Sequence, residues 1–373
     1  MRVAVFAGPT GGHFFPALAF CQSFKERRPS SVILLVTGER GRNLVRPSEE
    51  TSGIQFGWLP DFPLPRPRNW DFFLCVPSFL LKLLQAFWKT ELLLNRFKPE
   101  LTVGFGSYTS FPGVVASRRR KIPVLIHEQN RSAGRANVWA ARLAGQVAVS
   151  FERTQGFPPS ISLIRTGLPL RASLIHRAAR SERKDPPLFA PGKERILVVG
   201  GSQGSQSLNR LVLETWDLFS REEKQGLAVI HITGRKEFEG IKKMYFEKGI
   251  EALVYPFHEQ MEELYPEADL ALTRSGANTL FELALFGLPA VVIPFPYAEG
   301  HQELNAESFN RAGGVVLLPE SKATPARLKE KVFELIRSSD LRRQMSKSLR
   351  GLARPEASRR LAELAEKILE TPR

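Results

Sequence analysis

The chain has 373 residues, with 53 Lys and Arg against 38 Asp and Glu, for a formal charge of +15. With 43% hydrophobic and 24% charged residues it holds ample apolar material for large cores, which excludes disordered and fibrous classes, and its length suits about one to three domains. Two cysteines, Cys21 and Cys75, can build neither a disulfide framework nor a zinc site, so free thiols in a reducing compartment are expected.

The N-terminus carries one basic residue, Arg2, and then glycines, without the apolar run and cleavage site of a secretory leader, so a cytoplasmic protein is expected. Short apolar runs then alternate with helical patterns. In the first half these are Val3–Phe6, Val32–Val36, Leu101–Phe105, Val124–Ile126 and Val147–Val149; in the second, Ile196–Val199, Val229–Ile232, Leu270–Leu272 and Ala290–Ile293. Strands buried on both faces and spaced by helices predict an α/β protein with parallel sheets. The most apolar segment, Asp71 to Leu94, is interrupted by Pro77, Lys82, Gln85 and Lys89, so no bilayer-spanning helix is expected.

Arg2-Val-Ala-Val-Phe-Ala-Gly8 and Arg195-Ile-Leu-Val-Val-Gly-Gly201 form a weak internal repeat: an arginine, an apolar strand, then a glycine-rich loop entering a helix. Two Rossmann-like, doubly wound domains are implied. Pro and Gly concentrate at Phe157-Pro-Pro-Ser160, Gly167-Leu-Pro169 and Asp185-Pro-Pro187, which puts a hinge near 165–170, an N-terminal domain over 1–167 and a C-terminal one over 168–352. Doubly wound sheets bind ligands outside the carboxyl ends of their strands, so the two domains are expected to face one another across an interdomain cleft that holds the active site.

The chemistry-bearing segments sit at those strand ends. Gly8-Pro-Thr-Gly-Gly-His13 leads into a helix and offers backbone donors to an anion, yet matches neither G-x-G-x-x-G nor the Walker pattern, which weakens the dehydrogenase and P-loop ATPase readings. Gly200-Gly-Ser-Gln-Gly-Ser205, with Asn209 in the next helix, repeats that design. Thr273-Arg-Ser-Gly-Ala-Asn-Thr-Leu-Phe-Glu282 exposes a third helix start and places Glu282 where a carboxylate could accept from a ribose diol. His127-Glu-Gln-Asn130 follows the strand Val124–Ile126, and His301-Gln302 opens a helix reaching Asn305, which suits sugar hydroxyls. The remaining histidines, His176, His231 and His258, have no metal-ligand spacing, and no Asp-x-Asp triad exists, so no metal site and no cofactor are expected.

Taken together, these loops resemble the MurG family. The resemblance runs through Thr10-Gly-Gly-His13 with Pro16-Ala-Leu-Ala19, Gly106-Ser-Tyr108, His127-Glu-Gln-Asn130, Gly200-Gly-Ser-Gln-Gly204 with Asn209, Arg274-Ser-Gly-Ala277, Glu282, Gly287-Leu-Pro289 and Gln302 with Asn305-Ala306. Three positions depart from it: Pro9 and Ser107 stand where the family has glycines, and His301 where it commonly has a first Gln. The resemblance implies a GT-B fold with the last helix, from about 353 to 373, packing back on the first domain. It also implies inverting transfer of N-acetylglucosamine from UDP-GlcNAc to the C4 hydroxyl of the lipid-linked N-acetylmuramyl-pentapeptide acceptor, lipid I, without a metal.

By that resemblance the acceptor side includes Thr10, Gly11, Gly12, His13, Tyr108, Glu128 and Asn130, with Tyr108 among the catalytic candidates and either His13 or Glu128 as the base. Thr10, Gly11, Gly12, Asn130 and Arg171, at the hinge, are also counted among the UDP-GlcNAc-binding residues. UDP-GlcNAc is implied to meet Ser202, Gln203, Gly204, Asn209, His258, Ala277, Asn278, Thr279, Leu280, Phe281, Glu282, His301 and Gln302. A lipid acceptor requires contact with the cytoplasmic face of the plasma membrane. Phe79, Leu80, Leu83, Leu84, Phe87 and Trp88 recur at helical spacing with Lys82 and Lys89 beside them, the pattern of an interfacial helix or, equally, of a core helix. Implied partners are UDP-GlcNAc, lipid I and anionic inner-leaflet lipids, with other cell-wall synthesis proteins an open option. Nucleic acid is disfavoured because the basic residues are dispersed and no recognition motif is present.

Overall fold

The computed structural model describes residues 1–45, 51–62, 71–180, 188–201, 204–296 and 300–371, apart from the side chains of 71–75. The chain divides into two compact units, Met1–Ala172 with Pro355–Arg373, and Ser173–Arg354.

In the first unit, strands β1 (Arg2–Phe6), β2 (Val32–Gly38), β3 (Ile54–Leu59), β4 (Leu101–Gly104), β5 (Val124–Glu128), β6 (Gln146–Val149) and β7 (Leu163–Arg165) form a sheet in the order β3-β2-β1-β4-β5-β6-β7. Every pairing in it is parallel. Helices α1 (Gly11–Arg27), α2 (Asp71–Phe97), α3 (Phe111–Arg119) and α4 (Arg135–Ala141) follow β1, β3, β4 and β5. The two-residue alternation of a strand divides the core. Val3 and Val5 pack with Phe14, Phe20 and Phe24 of α1, while Ala4 and Phe6 pack with Leu94 of α2 and Ala116 of α3.

The second unit opens with α5 (Ala172–Arg180), whose first residue still belongs to the first unit. Its parallel sheet has the order β10-β9-β8-β11-β12-β13, from β8 (Glu194–Val199), β9 (Leu227–Ile232), β10 (Glu251–Tyr255), β11 (Leu270–Thr273), β12 (Ala290–Val292) and β13 (Val315–Leu317). Between and after these strands lie α6 (Gln206–Asp217), α7 (Arg221–Gln225), α8 (Phe238–Glu247), α9 (Ala277–Phe286), α10 (His301–Arg311), α11 (Pro325–Arg337) and α12 (Ser339–Leu352). The chain then returns to the first unit as α13 (Ala357–Glu370). There Leu361, Ala362 and Ala365 join the α1 core, and Glu366 takes ion pairs from Arg27 at 2.6 Å and Arg28 at 2.9 Å. The Arg27 hydrogen bond, helped by Arg28, holds the Glu366 carboxyl below its ordinary range.

All nine strands expected from the apolar runs are present, and four more, β3, β7, β10 and β13, occupy the edges of the two sheets. Strand order reverses direction at β1/β4 in the first unit and β8/β11 in the second. At such a switch point the neighbouring connections leave toward opposite faces and open a crevice at the carboxyl ends. The glycine-rich loops after β1 and β8, and the segments after β4 and β11, all fall there.

Candidate functional sites of the two units

The first site is built on the ends of β1, β4 and β5. Thr10 holds the N-cap position of α1 in extended geometry and makes no side-chain cap. His13, in the first turn and half-buried, points Nδ1 at the Phe105 carbonyl, 2.7 Å away, and at Gln129 Oε1, 3.0 Å away. A carbonyl only accepts, so Nδ1 carries the proton of the neutral ring and Nε2 keeps its lone pair.

Glu128 is in the opposite condition. β5 runs two residues past its expected end and takes His127 and Glu128 into the sheet, where both are buried. The Glu128 carboxylate accepts from Asn130 N at 2.8 Å and Asn130 Nδ2 at 3.3 Å through Oε1, and from Asn137 Nδ2 at 2.7 Å and Gly134 N at 3.1 Å through Oε2. Four donors fill its acceptor sites, and the group ties the 129–134 loop to α4. His127 donates from Nε2 to the Gly167 carbonyl at 3.0 Å, and burial pushes its pKa down to about 4.

Tyr108 opens a single 3-10 turn and is half-buried. Ser107 before it has φ +67° and ψ 154°, a region otherwise almost reserved to glycine. The adjacent chain makes room for it: a Cβ on Gly8 would lie 2.5 Å from Ser107 Cβ and 2.9 Å from His13 Cδ2. Arg171 sets its guanidinium 5.2 Å from the Phe15 ring centre.

The second site is built on the ends of β8, β9, β11 and β12. Ser202 and Gln203 lie outside the described residues. Gly204 has φ +76°, and a Cβ there would come within 2.4 Å of the Thr233 carbonyl, so the loop can close on β9 only with glycine. Asn209 is turned inward. Its Nδ2 donates to Thr233 O at 2.9 Å and Glu237 Oε2 at 2.7 Å, and its Oδ1 accepts from His231 Nε2 at 3.0 Å. His231, pushed down to about 3 by burial, meets the Tyr245 hydroxyl at 2.9 Å. Asn209 therefore ties the start of α6 to the segment after β9.

Arg274 is buried and fully engaged. Nε donates to Ser205 Oγ at 3.0 Å, Nη1 to Ile293 O at 3.0 Å and Nη2 to Ser207 Oγ at 2.5 Å, while both Nη atoms bond Glu320. One guanidinium thus fastens the start of α6, the end of β11 and the segment after β12, with its charge balanced by Glu320. Gly276 caps α9 without a side chain. Ala277, Leu280 and Phe281 are buried, whereas Asn278 and Thr279 are half-buried. Glu282 receives the Tyr265 hydroxyl at 2.6 Å. His301 and Gln302 begin α10 after Gly300 at φ +73°. Gln302 Oε1 accepts from Ser275 N at 3.2 Å and Phe295 N at 3.0 Å, and Asn305 Nδ2 reaches Ser275 O at 3.4 Å. His258 lies against Tyr255, ring centres 4.9 Å apart. Among the described residues no group of three or more His, Cys, Asp or Glu is placed to hold a metal ion.

The sequence patterns of the glycosyltransferase family 28 N-terminal and C-terminal domains match residues 3–149 and 195–364. The chain belongs to glycosyltransferase family 28. A curated relative from Desulfotalea psychrophila, named UDP-N-acetylglucosamine--N-acetylmuramyl-(pentapeptide) pyrophosphoryl-undecaprenol N-acetylglucosamine transferase, is 32% identical over 369 residues, 99% of this chain and 97% of its own. Its namesake from Carboxydothermus hydrogenoformans is 34% identical over 375 residues, 99% and 98% of the two chains. The crystal structure of Acinetobacter baumannii MurG superposes with a TM-score of 0.71 at 28% identity, covering 98% of this chain and 99% of that one. The chain is a member of the MurG branch of family 28, a hexosyltransferase fold of two parallel α/β sheets.

Several positions in this family 28 chain were not legible as functional groups. Phe105 through its carbonyl, Tyr265 and Glu320 act on the expected residues from outside any motif, Gln129 does so from within His127-Glu-Gln-Asn130, and Ser275 keeps a buried hydroxyl with no hydrogen-bond partner among the described residues. On α2 the expected apolar face divides in two. Leu80, Leu84 and Trp88 are 50, 68 and 64% exposed, joined by Leu81 at 62%, whereas Phe79, Leu83 and Phe87 are half-buried and Phe79 packs edge-on to Phe62. Lys82 is exposed and Lys89 half-buried; Arg66 and Arg68 lie outside the described residues. Arg120, after α3, is spent on Glu91 and Asn95 of α2. No helix among the described residues is long and apolar enough to cross a membrane.

Proposed function

We propose that the chain transfers N-acetylglucosamine from UDP-GlcNAc to the C4 hydroxyl of the N-acetylmuramyl unit of undecaprenyl-pyrophosphoryl-N-acetylmuramyl-pentapeptide, inverting the anomeric carbon without a metal. The observation that carries the reading is His13. Its Nδ1–H is fixed on the Phe105 carbonyl, so the neutral ring offers Nε2 as an acceptor in the loop that follows β1. Glu128, the other candidate, would have to give up one of four hydrogen bonds to take a proton, which favours His13 as the base.

As the C4 oxygen attacks the anomeric carbon, its proton passes to His13 Nε2, the bond from that carbon to the β-phosphate oxygen breaks, and UDP leaves with the electron pair. The developing charge needs preorganised donors. The first turns of α6 and α9 supply backbone N–H groups, and Ser275 a hydroxyl. Arg274 contributes by fixing these loops, since its own charge is balanced by Glu320. Glu282 suits the ribose diol, Gln302 and His301 the sugar, and His258 and Ala277–Glu282 the nucleotide. Tyr108, Thr10, Gly11, Gly12, Asn130 and Arg171 suit the acceptor. The exposed stripe Leu80, Leu81, Leu84 and Trp88 beside Lys82 supports a peripheral site of action on the cytoplasmic face of the plasma membrane, against anionic lipid.

Purified protein incubated with labelled UDP-GlcNAc, a short-chain analogue of the lipid acceptor and excess chelator should yield the disaccharide product. UDP release without that product would refute the acceptor assignment, and a strict requirement for divalent ions would refute the mechanism.

A further inference from the structure

We infer that Gln129 is a positioning residue for the reaction: it is the central link of a buried hydrogen-bond relay that fixes the tautomer of His13 and holds the charge this ring acquires. The relay starts and ends on backbone carbonyls, and that makes its direction unambiguous. Gly167 O can only accept, so His127 carries its proton on Nε2, 3.0 Å away, and presents Nδ1 as an acceptor. Gln129 must then offer its amide N–H to His127, at 3.2 Å from Nδ1 and 3.1 Å from the His127 carbonyl, which turns Oε1 toward His13. At the far end Phe105 O independently demands a proton on His13 Nδ1, the same atom that lies 3.0 Å from Gln129 Oε1. Both ends give the same answer. Gln129 and His127 are 1 and 0% exposed, so water does not substitute for either link.

The consequence is electrostatic. When Nε2 takes the proton, the imidazolium keeps Nδ1–H between two oxygen acceptors in a low-dielectric site, where a hydrogen bond to a charged group is stronger than to a neutral one. The groups that the described residues place against the ring are uncharged. From β5, His127 is neutral, held near pKa 4 by burial, and Glu128 is turned to Asn130, Gly134 and Asn137. The segment after β4 brings Phe105 O and the uncharged Ser107, and Arg171 lies over Phe15 rather than His13. Gln129 therefore strengthens the base without adding a carboxylate that would leave the ring protonated at neutral pH.

This inference rests on the reading of His13 as the base, and one set of pH profiles separates the two. In the full chain, kcat/KM against pH should show an acid limb from the group that must be deprotonated. Gln129→Met removes the Oε1 acceptor at similar length and should move that limb down by about one pH unit, with a three- to tenfold lower plateau, because the imidazolium loses a charge-assisted bond. Gln129→Glu, almost the same shape, should move the limb up by about one unit or more. Equal losses of activity with an unmoved limb in both variants would mean a purely structural role and overturn the inference. Thermal melts identify a variant that fails to fold; the other then decides alone, and no displacement of its limb overturns the inference. His13→Ala tests the underlying reading. If it retains turnover and the limb, His13 is not the base. If it abolishes the limb while the Gln129 variants leave it in place, His13 is the base and Gln129 does not position it.

Discussion

Ser107 offers a sharp test of the acceptor-side geometry, because its backbone and its surroundings make separable demands. A side chain at φ +67°, ψ 154° costs about 1–3 kcal/mol, since the Cβ crowds the backbone in a region that glycine enters freely. Ser107→Gly removes that strain, and the extra freedom of glycine in the unfolded chain returns about 0.4–1 kcal/mol. The net expectation is stabilisation of about 1 kcal/mol, or about 2–4 °C in the melting temperature of a unit this large. Ser107→Ala keeps the Cβ and should stay near wild type. At an ordinary position the order is reversed, with glycine the less stable of the two. Gly8→Ala supplies the second arm: its new Cβ would sit 2.5 Å from Ser107 Cβ, so it should destabilise the wild-type chain and cost measurably less in the Ser107→Gly background. Four of the five tryptophans belong to the first unit, so a fluorescence melt follows the right region and calorimetry checks it. A glycine variant less stable than both serine and alanine would refute the strain argument.

Acid should destabilise the fold through two histidines. His127 and His231 have native pKa values near 4 and 3 against 6.5 for a free ring, so their contribution is full above pH 6.5 and is lost as pH falls toward 4 and 3, where only the unfolded state binds the protons. The combined loss is on the order of several kcal/mol, read from urea midpoints between pH 7 and 4; midpoints flat over that window would contradict it. Arg274→Met strands Glu320 and unties the start of α6 from the segment after β12. About 2–4 kcal/mol of stability should be lost, with a severalfold rise in the KM for UDP-GlcNAc; unchanged values would show that the loops hold themselves. Leu84→Ser with Trp88→Ser should abolish low-salt cosedimentation with anionic vesicles while leaving the melting temperature in place, because both side chains already face solvent. Retained cosedimentation would move the membrane-facing surface elsewhere.

The strands that escaped the sequence pattern have a common position. β1, β2, β4, β5, β6, β8, β9, β11 and β12 all have neighbours on both sides, and each is an apolar run because helices cover both faces. β3, β7, β10 and β13 close the sheets, and their composition changes accordingly. Glu251 is exposed and the rest of β10 only half-buried, β7 ends in Arg165, and β3 alternates Gln55 and Trp58 with buried Ile54, Gly57 and Leu59. An edge strand has less surface to bury and must discourage further pairing, so it lacks the hydrophobic signature that made the central strands visible. The glycine loops, by contrast, were legible because their requirement is covalent: at Gly204 no other residue leaves room for the Thr233 carbonyl.

The polar residues show why a motif locates a site more readily than it assigns its parts. His127-Glu-Gln-Asn130 looks like one group of working side chains, yet the pleat of β5 and the loop after it send them to different tasks. Glu128 turns to Asn137 and the 129–134 loop, Asn130 closes on Glu128, and His127 and Gln129 run inward toward Gly167 and His13. Of the four, Gln129 and His127 hold the chain toward His13 and Gly167 through hydrogen bonds spanning 116 and 40 residues of chain, which no local spacing encodes. Arg274 and Glu320 are the same case in the second unit, a motif arginine whose partner stands 46 residues on. Residue type and strand-end position therefore point to the active surface, and the partner each side chain satisfies decides whether it meets substrate or holds the group that does.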